Sequence, residues 1–223
     1  RIAHEIKNPL TPIQLAAERL QGRFGSIDGK DGETFAKLTS TIVRQVGDLR
    51  RMVDEFSSFA RMPRPTFRPE NLGDVLRQSL FLHEVARPDI RFSVQLPDAP
   101  EPVVCDRRLL AQAFTNIVKN AVEAIERRGQ GGGTIGAVLE IGDAVAEIAI
   151  SDDGAGLPAD RDTLTEPYVT SREGGTGLGL AIVKKIVEEH EGALGFADRP
   201  GGGTIVTITI PVGAKSPVDE RPV

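Results

Sequence analysis

Leu38, Ile42, Val46, Leu49, Val53, Phe56 and Ala60 follow one another at steps of four and three. That spacing lines one face of an α-helix with apolar side chains. So sustained a seam predicts a long helix. Upstream, Ile2, Ile6, Ile13 and Leu20 fall near the same spacing and predict a second helix, joined to the first through the Gly- and Asp-rich GRFGSIDGKDG. Two helices alone cannot enclose such a seam, so a second pair must cover it. A dimeric four-helix bundle built from residues 1–64 is the economical solution. RMPRPTFRP (61–69) then stops the pattern with Pro63, Pro65 and Pro69, and the domain boundary is placed there.

Beyond the prolines the periodicity changes. Residues 71–86, 107–127 and 178–190 have helical patterns, whereas IRFSVQL, PVVCD, GTIGAVLEI, AVAEIAISDD, GALGFAD and TIVTITI have the character of strands. Gly142–Asp143 is a hairpin turn between two of these strands, and RPGGG joins the last two. Mixed pairing with helices on one face predicts an α+β sandwich over residues 65–214. The full architecture expected is α plus α+β, ending in GAKSPVDERPV, with a disordered tail placed at 215–223.

Composition removes several function classes. A net charge of −5 leaves no basic footprint for nucleic acid. No apolar run approaches the roughly 18 residues of a membrane span, so no membrane contact is expected of this segment. The single cysteine, Cys105, excludes an internal disulfide framework. No Trp and one Tyr argue against a stacking platform for sugars or bases. Residues 1–64 carry 11 Lys/Arg against 8 Asp/Glu, a mildly basic segment suited to an acidic protein partner. The chain opens without Met inside an amphipathic pattern, and is expected to be a fragment.

Three short stretches of the second part carry chemistry. In NIVKNAVEA, Asn116 and Asn120 stand four apart and share a helix face. Their amide oxygens suit Mg²⁺, which takes few protein ligands and leaves phosphates and water to complete its octahedron; a surface or capping pair is the alternative. In DDGAGL, Asp152 can accept from an exocyclic amine such as that of adenine, and Gly154 and Gly156 let backbone approach a flat ligand; a simple tight turn is the alternative. In GGTGLGL, Gly175, Gly177 and Gly179 free backbone N–H groups at a helix start, where phosphate is favoured. It is not a P-loop, since no G-K-[ST] follows, and no βαβ unit surrounds it as a dinucleotide fingerprint requires. LPADRDTLTEPYVTSREG, long and polar, is placed to be a lid.

In this order the stretches resemble the boxes of a two-component sensor histidine kinase transmitter core. HEIKNPL is similar to its H box, NIVKNAVEA to the N box, DDGAGL to G1, EPYVTSREGGTGLGL to the lid and G2, and GGGT to the last glycine box. HEIKNPLTPIQLAAERL is most similar to the NtrY-type nitrogen-regulation sensor kinases. The resemblance implies a dimerisation and phosphoacceptor domain (1–64, truncated at its N-terminus) and an ATP-binding domain of the gyrase, heat-shock chaperone, histidine kinase and mismatch-repair type (65–214). It implies ATP and Mg²⁺ as cofactors, Asn120 as the metal ligand, and Asn116, Lys119, Asn120, Asp152, Gly154, Gly156, Thr170, Ser171, Arg172, Gly175, Thr176, Gly177, Leu178, Gly179, Leu180 and Thr204 as the nucleotide site. It further implies a homodimer, a response-regulator receiver as partner, and a cytoplasmic location for a fragment whose parent is anchored in the bacterial inner membrane.

His4, Glu5 and Asn8 are the implied catalytic residues. Neutral imidazole is a good nucleophile near pH 7 and a neighbouring carboxylate can take its ring proton. Glu5 is the candidate base, although adjacent helical residues point about 100° apart. Asn8 shares the face of His4, a position associated in the family with orienting the water that dephosphorylates the regulator. Pro9 and Pro12 each free a carbonyl one turn back, so a bend beside His4 is expected. H-E-x-x-H zinc chemistry fails, because the fifth residue is Asn8. His83 and His190 are expected at the surface. Related ATPases carry a Glu four residues before the Mg²⁺-binding Asn, where this chain has Asn116; a site without its own base suits transfer to a nucleophile that brings one. Glu123 stands where some kinases place a Lys, leaving charge neutralisation to Arg172 and Lys119. A scaffold that keeps the fold without binding nucleotide, or a protein working mainly as a phosphatase, are the other readings.

Overall fold

The computed structural model describes residues 2–24, 30–60, 62–99, 102–161, 163–169 and 176–213. By contact they form two compact units, the first containing residues up to Pro63 together with Thr176–Leu178, the second Arg64–Val169 and the chain from Gly179 onward.

The first unit is a helical hairpin. Its helix α1 spans Ile2–Phe24 and continues through Pro9 and Pro12; α2 spans Lys30–Ala60. Leu10 and Ala17 on α1, and Thr39, Val46 and Val53 on α2, are buried. Each set recurs every seven residues, two turns, as a seam between paired helices requires. Phe24 meets Phe35 edge-on at 6.0 Å near the hairpin's closed end. The seam read from the sequence divides here. Val46 and Val53 face inward, whereas Leu38, Ile42, Leu49 and Phe56 remain 38–61% exposed.

In the second unit, β1 (Arg68–Asn71) leads into α3 (Leu72–Ala86), followed by β2 (Ile90–Gln95), β3 (Pro102–Cys105), α4 (Arg107–Arg128), β4 (Gly133–Ile141), β5 (Val145–Asp152), α5 (Gly179–Glu189), β6 (Ala193–Asp198) and β7 (Thr204–Pro211). Five strands make a sheet in the order β2-β4-β5-β7-β6, with β2 and β4 parallel and the other pairs antiparallel. The sequence reading has no strand ahead of α3, but β1 pairs antiparallel with β3 in a separate two-stranded sheet. Such a small edge tolerates Pro69, which has no N–H to give.

Alternation sets which face of the sheet is covered. Ala146, Ile148 and Ile150 of β5 and Val206, Ile208 and Ile210 of β7 are buried, as period-two side chains on one face must be. Against them pack α4, with α3 and α5 on either side, contributing Phe114, Ile117, Leu76 and Ile186. Helix α4 is capped at both ends. The Asp106 carboxylate accepts from the N–H groups of Arg108 and Leu109 (2.9 and 3.0 Å), and Gly129 closes the C-terminus at φ 71°.

His190, expected at the surface, is buried with 3% exposure. Burial is tolerated because backbone satisfies both ring nitrogens: Nε2 accepts from the Asp106 N–H at 3.0 Å, and Nδ1 bonds the Ile186 carbonyl at 2.7 Å. Phe67 meets the ring edge-on at 5.2 Å. Asp106 also accepts from the Thr66 N–H at 2.7 Å, so the proline-rich stretch is fastened at Thr66 to the start of α4. His83 is half-buried, and burial, followed by the nearby Lys119 charge, lowers its pKa. Cys105 is fully buried and its thiol is pushed up to about 12, chiefly by burial.

Candidate nucleotide site

The face of α4 that carries the sequence-predicted asparagines meets the first turn of α5. Asn116 and Asn120 project from one face of α4, as their spacing dictates. The Asn116 Nδ2 donates to the Gly179 carbonyl at 3.4 Å. A Cβ on Gly179 would stand 4.0 Å from both polar atoms of the Asn120 amide, so glycine leaves room beside that side chain. Gly179 is also the first residue of α5, where backbone N–H groups and the positive helix end favour an anion. Leu178, the residue before the helix, is fully buried. Its N–H donates to the Thr176 hydroxyl oxygen at 3.3 Å, and within the first unit that hydroxyl donates to the Glu55 carboxylate. Gly177 takes φ 68°, a conformation few other residues adopt. Leu180 follows Gly179 within the first turn of α5 and is half-buried.

Asp152 closes the buried face of β5, two residues after Ile150, with 5% exposure. Its Oδ1 accepts from the Gly154 N–H at 2.8 Å, and its register partner on β7 is Thr204, which is also buried. Burial dominates and raises the carboxyl pKa, although N–H bonds from Gly154 and Thr204 oppose the rise. A buried acceptor at the end of a strand suits a base amine. The glycines around it are steric necessities. A Cβ on Gly154 would lie 2.5 Å from the Ala124 carbonyl carbon, and one on Gly203 would lie 1.9 Å from the Asp152 carbonyl oxygen. Gly156, at φ 78°, faces the Gly203 carbonyl.

Lys119 is exposed and lies near His83 of α3. Thr170, Ser171, Arg172 and Gly175 lie outside the described residues, as do the side chains of His4, Glu5 and Asn8, whose backbone belongs to α1. The described part of the stretch read as a lid forms turns closed by Leu164 N–H to Arg161 O (3.2 Å) and Glu166 N–H to Thr163 O (3.0 Å). An ion pair from Arg161 to Asp198 at 2.6 Å ties it to β6. The 214–223 tail is likewise outside the described residues.

Sequence reading missed Arg128 and Asp153. Asp153 turns away from Asp152: its Oδ1 accepts from the Thr134 N–H at 2.9 Å, and its Oδ2 is 3.2 Å from the Arg128 guanidinium. A signal was available for the first aspartate, since Asp152 continues the alternation of Ala146, Ile148 and Ile150. Nothing in the sequence singles out Arg128.

Comparison with known proteins gives this geometry its context. Residues 105–214 match the "Histidine kinase-, DNA gyrase B-, and HSP90-like ATPase" family model, and residues 1–65 match the "His Kinase A (phospho-acceptor) domain" model. The nitrogen regulation protein NtrY of Azorhizobium caulinodans is 52% identical over 94% of this chain, which spans 28% of that relative's length. The solved mycobacterial sensor histidine kinase MprB is 34% identical over 66% of this chain and 97% of its own, at TM-score 0.57. Histidine kinase ThkA, solved in complex with the response regulator protein TrrA, is 27% identical over 96% of this chain and 60% of its own, at TM-score 0.66. With a phosphoacceptor hairpin and an ATPase-type sandwich in that order, the chain belongs to the sensor histidine kinase family.

Proposed function

We propose that this chain is the catalytic core of a kinase that phosphorylates His4 from ATP and passes the phosphoryl group to an aspartate of a response-regulator receiver. The observation that carries the reading is the meeting of Asn116 and Asn120 with Gly179 at the start of α5, in the same unit as the buried Asp152. Asp152 would bind the adenine amine, with Gly154, Gly156 and Thr204 shaping its surroundings. The α5 N-terminus, with Gly177, Leu178 and Leu180 about it, would face the phosphates, and Lys119 with Thr170, Ser171, Arg172, Gly175 and Thr176 would complete their surroundings. Asn120 fits Mg²⁺: it offers one hard oxygen beside a glycine, in a site whose remaining ligands are phosphate and water. When bound, the ion neutralises phosphate charge as the transfer proceeds.

In the transfer, an imidazole nitrogen of His4 bonds to the γ-phosphorus as the bond to the bridging oxygen breaks. ADP leaves, and the ring proton goes to Glu5. Asn116, an amide where related ATPases have a Glu, offers no base to water, which favours transfer over hydrolysis. Asn8, one turn from His4, would orient water to dephosphorylate the receiver. The kinase would act as a homodimer through residues 1–64; the exposed apolar residues of α2 and the phosphoacceptor-domain match support this. A parent anchored in the bacterial inner membrane, with this core on the cytoplasmic side, completes the reading. No described helix is long and apolar enough to cross a membrane.

The test is calorimetric titration with ATP in the presence of Mg²⁺, wild type against Asn120→Ala. Binding by the wild type with loss of the Mg²⁺-dependent part in the variant is expected. A wild-type protein that binds no nucleotide would make the chain a scaffold.

A further inference from the structure

The turn that follows Asp152 is fastened to the last two turns of α4, the helix that presents Asn116 and Asn120. Arg128, the final residue of α4, makes the attachment. One guanidinium nitrogen donates to the Asp153 carbonyl and lies 3.2 Å from the Asp153 carboxylate; another donates to the Gly132 carbonyl at 2.9 Å. The Asp153 carboxylate in turn accepts from the Thr134 N–H at 2.9 Å. Burial pushes the Asp153 pKa up, but the Thr134 bonds and Arg128 outweigh it and hold the pKa below the ordinary value. One turn earlier on α4, the Ala124 carbonyl accepts from the Ala155 N–H at 3.0 Å. Gly154 lies so close to Ala124 and Ile125 that no Cβ fits. Gly133 is closed in similarly, a Cβ there falling 2.7 Å from both Asp153 Oδ1 and Ile125. None of these groups is aimed at the site, yet together they fix the backbone from which Asp152 projects.

We propose that Arg128 and Asp153 are positioning residues for base recognition, with α4 acting as a rigid spacer between the Asn120 end and the Asp152 end of the nucleotide. Arg128 stands about two helical turns beyond Asn120, roughly 12 Å along the axis, and its bonds set where Asp152 begins. The proposal rests on the reading of Asp152 as the acceptor for the adenine amine. A displacement of about an ångström at Asp152 spoils a hydrogen bond to the base while leaving the phosphate end untouched. The clamp therefore governs which base is chosen more than whether a triphosphate is held.

The experiment measures affinities of the full chain for ATP, GTP and inorganic tripolyphosphate in Arg128→Met, Asp153→Asn and Asp152→Asn. Arg128→Met keeps an unbranched apolar stem and removes the three contacts. Asp153→Asn keeps an oxygen for Thr134 and weakens the ion pair, and serves if the first variant fails to fold. Expected are a loss of about tenfold in ATP affinity, a fall in the ATP-over-GTP preference, and tripolyphosphate affinity unchanged within about twofold. Arg128→Lys, which can still pair with Asp153, should recover part of the preference. An unchanged preference in both clamp variants, while Asp152→Asn loses it, overturns the clamp alone. Equal losses for ATP and tripolyphosphate also overturn it, since they indicate general damage. If Asp152→Asn itself leaves the preference intact, the adenine reading fails and the clamp with it.

Discussion

Asp152 and Asp153 are neighbours with the same side chain, and the pleat of β5 sends them to opposite tasks. The first continues the buried face and ends in a dry acceptor position; the second points toward Thr134 and Arg128. Their protons respond accordingly. Burial raises the Asp152 pKa, so the folded chain holds that proton more tightly than the unfolded chain does. The ionised carboxylate then costs stability above its raised folded value, and the cost disappears as pH falls through it. Binding an amine needs the carboxylate, so ATP affinity should fall over that same window, above the ordinary Asp value of about 3.9. Titrating ATP affinity and thermal stability between pH 4 and 8 checks both signs; affinity that is flat down to the ordinary range would contradict the assignment. Gly203 offers a second measurement. Gly203→Ala combines φ 102° with a contact of 1.9 Å to the Asp152 carbonyl. A loss of at least ~2 kcal/mol in denaturant unfolding is expected; a near-neutral variant would show that the turn relaxes.

The elements that were legible are those whose burial repeats. Helix α2 could be read from steps of four and three, and β5 and β7 from strict alternation, because packing against a neighbour imposes those periods. Strand β1 was not legible: it is four residues long, contains Pro69 and, among the described residues, pairs with β3 alone, so no run of apolar side chains announces it. His190 was misplaced for a similar reason. Its burial depends on a backbone N–H from Asp106, distant in sequence, and no local pattern encodes that bond. His190→Ala should leave the Asp106 N–H without its acceptor and cost about 1–3 kcal/mol in unfolding experiments. The shared face of Asn116 and Asn120 was legible by spacing alone, whereas the partner of Asn116, the Gly179 carbonyl, needed the fold. For the hairpin, the seam predicts that residues 1–64 dimerise on their own and that Leu49→Asp, at a position 42% exposed within one chain, weakens the dimer by at least tenfold. Sedimentation equilibrium decides it, and a monomeric 1–64 fragment would move the interface elsewhere.

In the proposed function a nucleophile on one unit serves a nucleotide site on the other, and the mechanism requires both. Phosphoryl transfer depends chiefly on positioning and charge stabilisation, so variants should separate the two units cleanly. Asn8→Ala is expected to retain phosphorylation of His4 while slowing dephosphorylation of a purified phosphoreceiver by on the order of 10²-fold; equal decay rates would remove Asn8 from that role. Asn120→Ala should lose label and Mg²⁺-dependent nucleotide binding together. The most direct measurement is incubation of the chain with γ-labelled ATP and Mg²⁺, followed by acid and alkali treatment, wild type beside His4→Gln. An acid-labile, alkali-stable label on the wild type is expected, with none on His4→Gln and nucleotide affinity within a few-fold of wild type. An acid-labile label persisting on His4→Gln, or a wild type that binds ATP and acquires no label, would contradict the account.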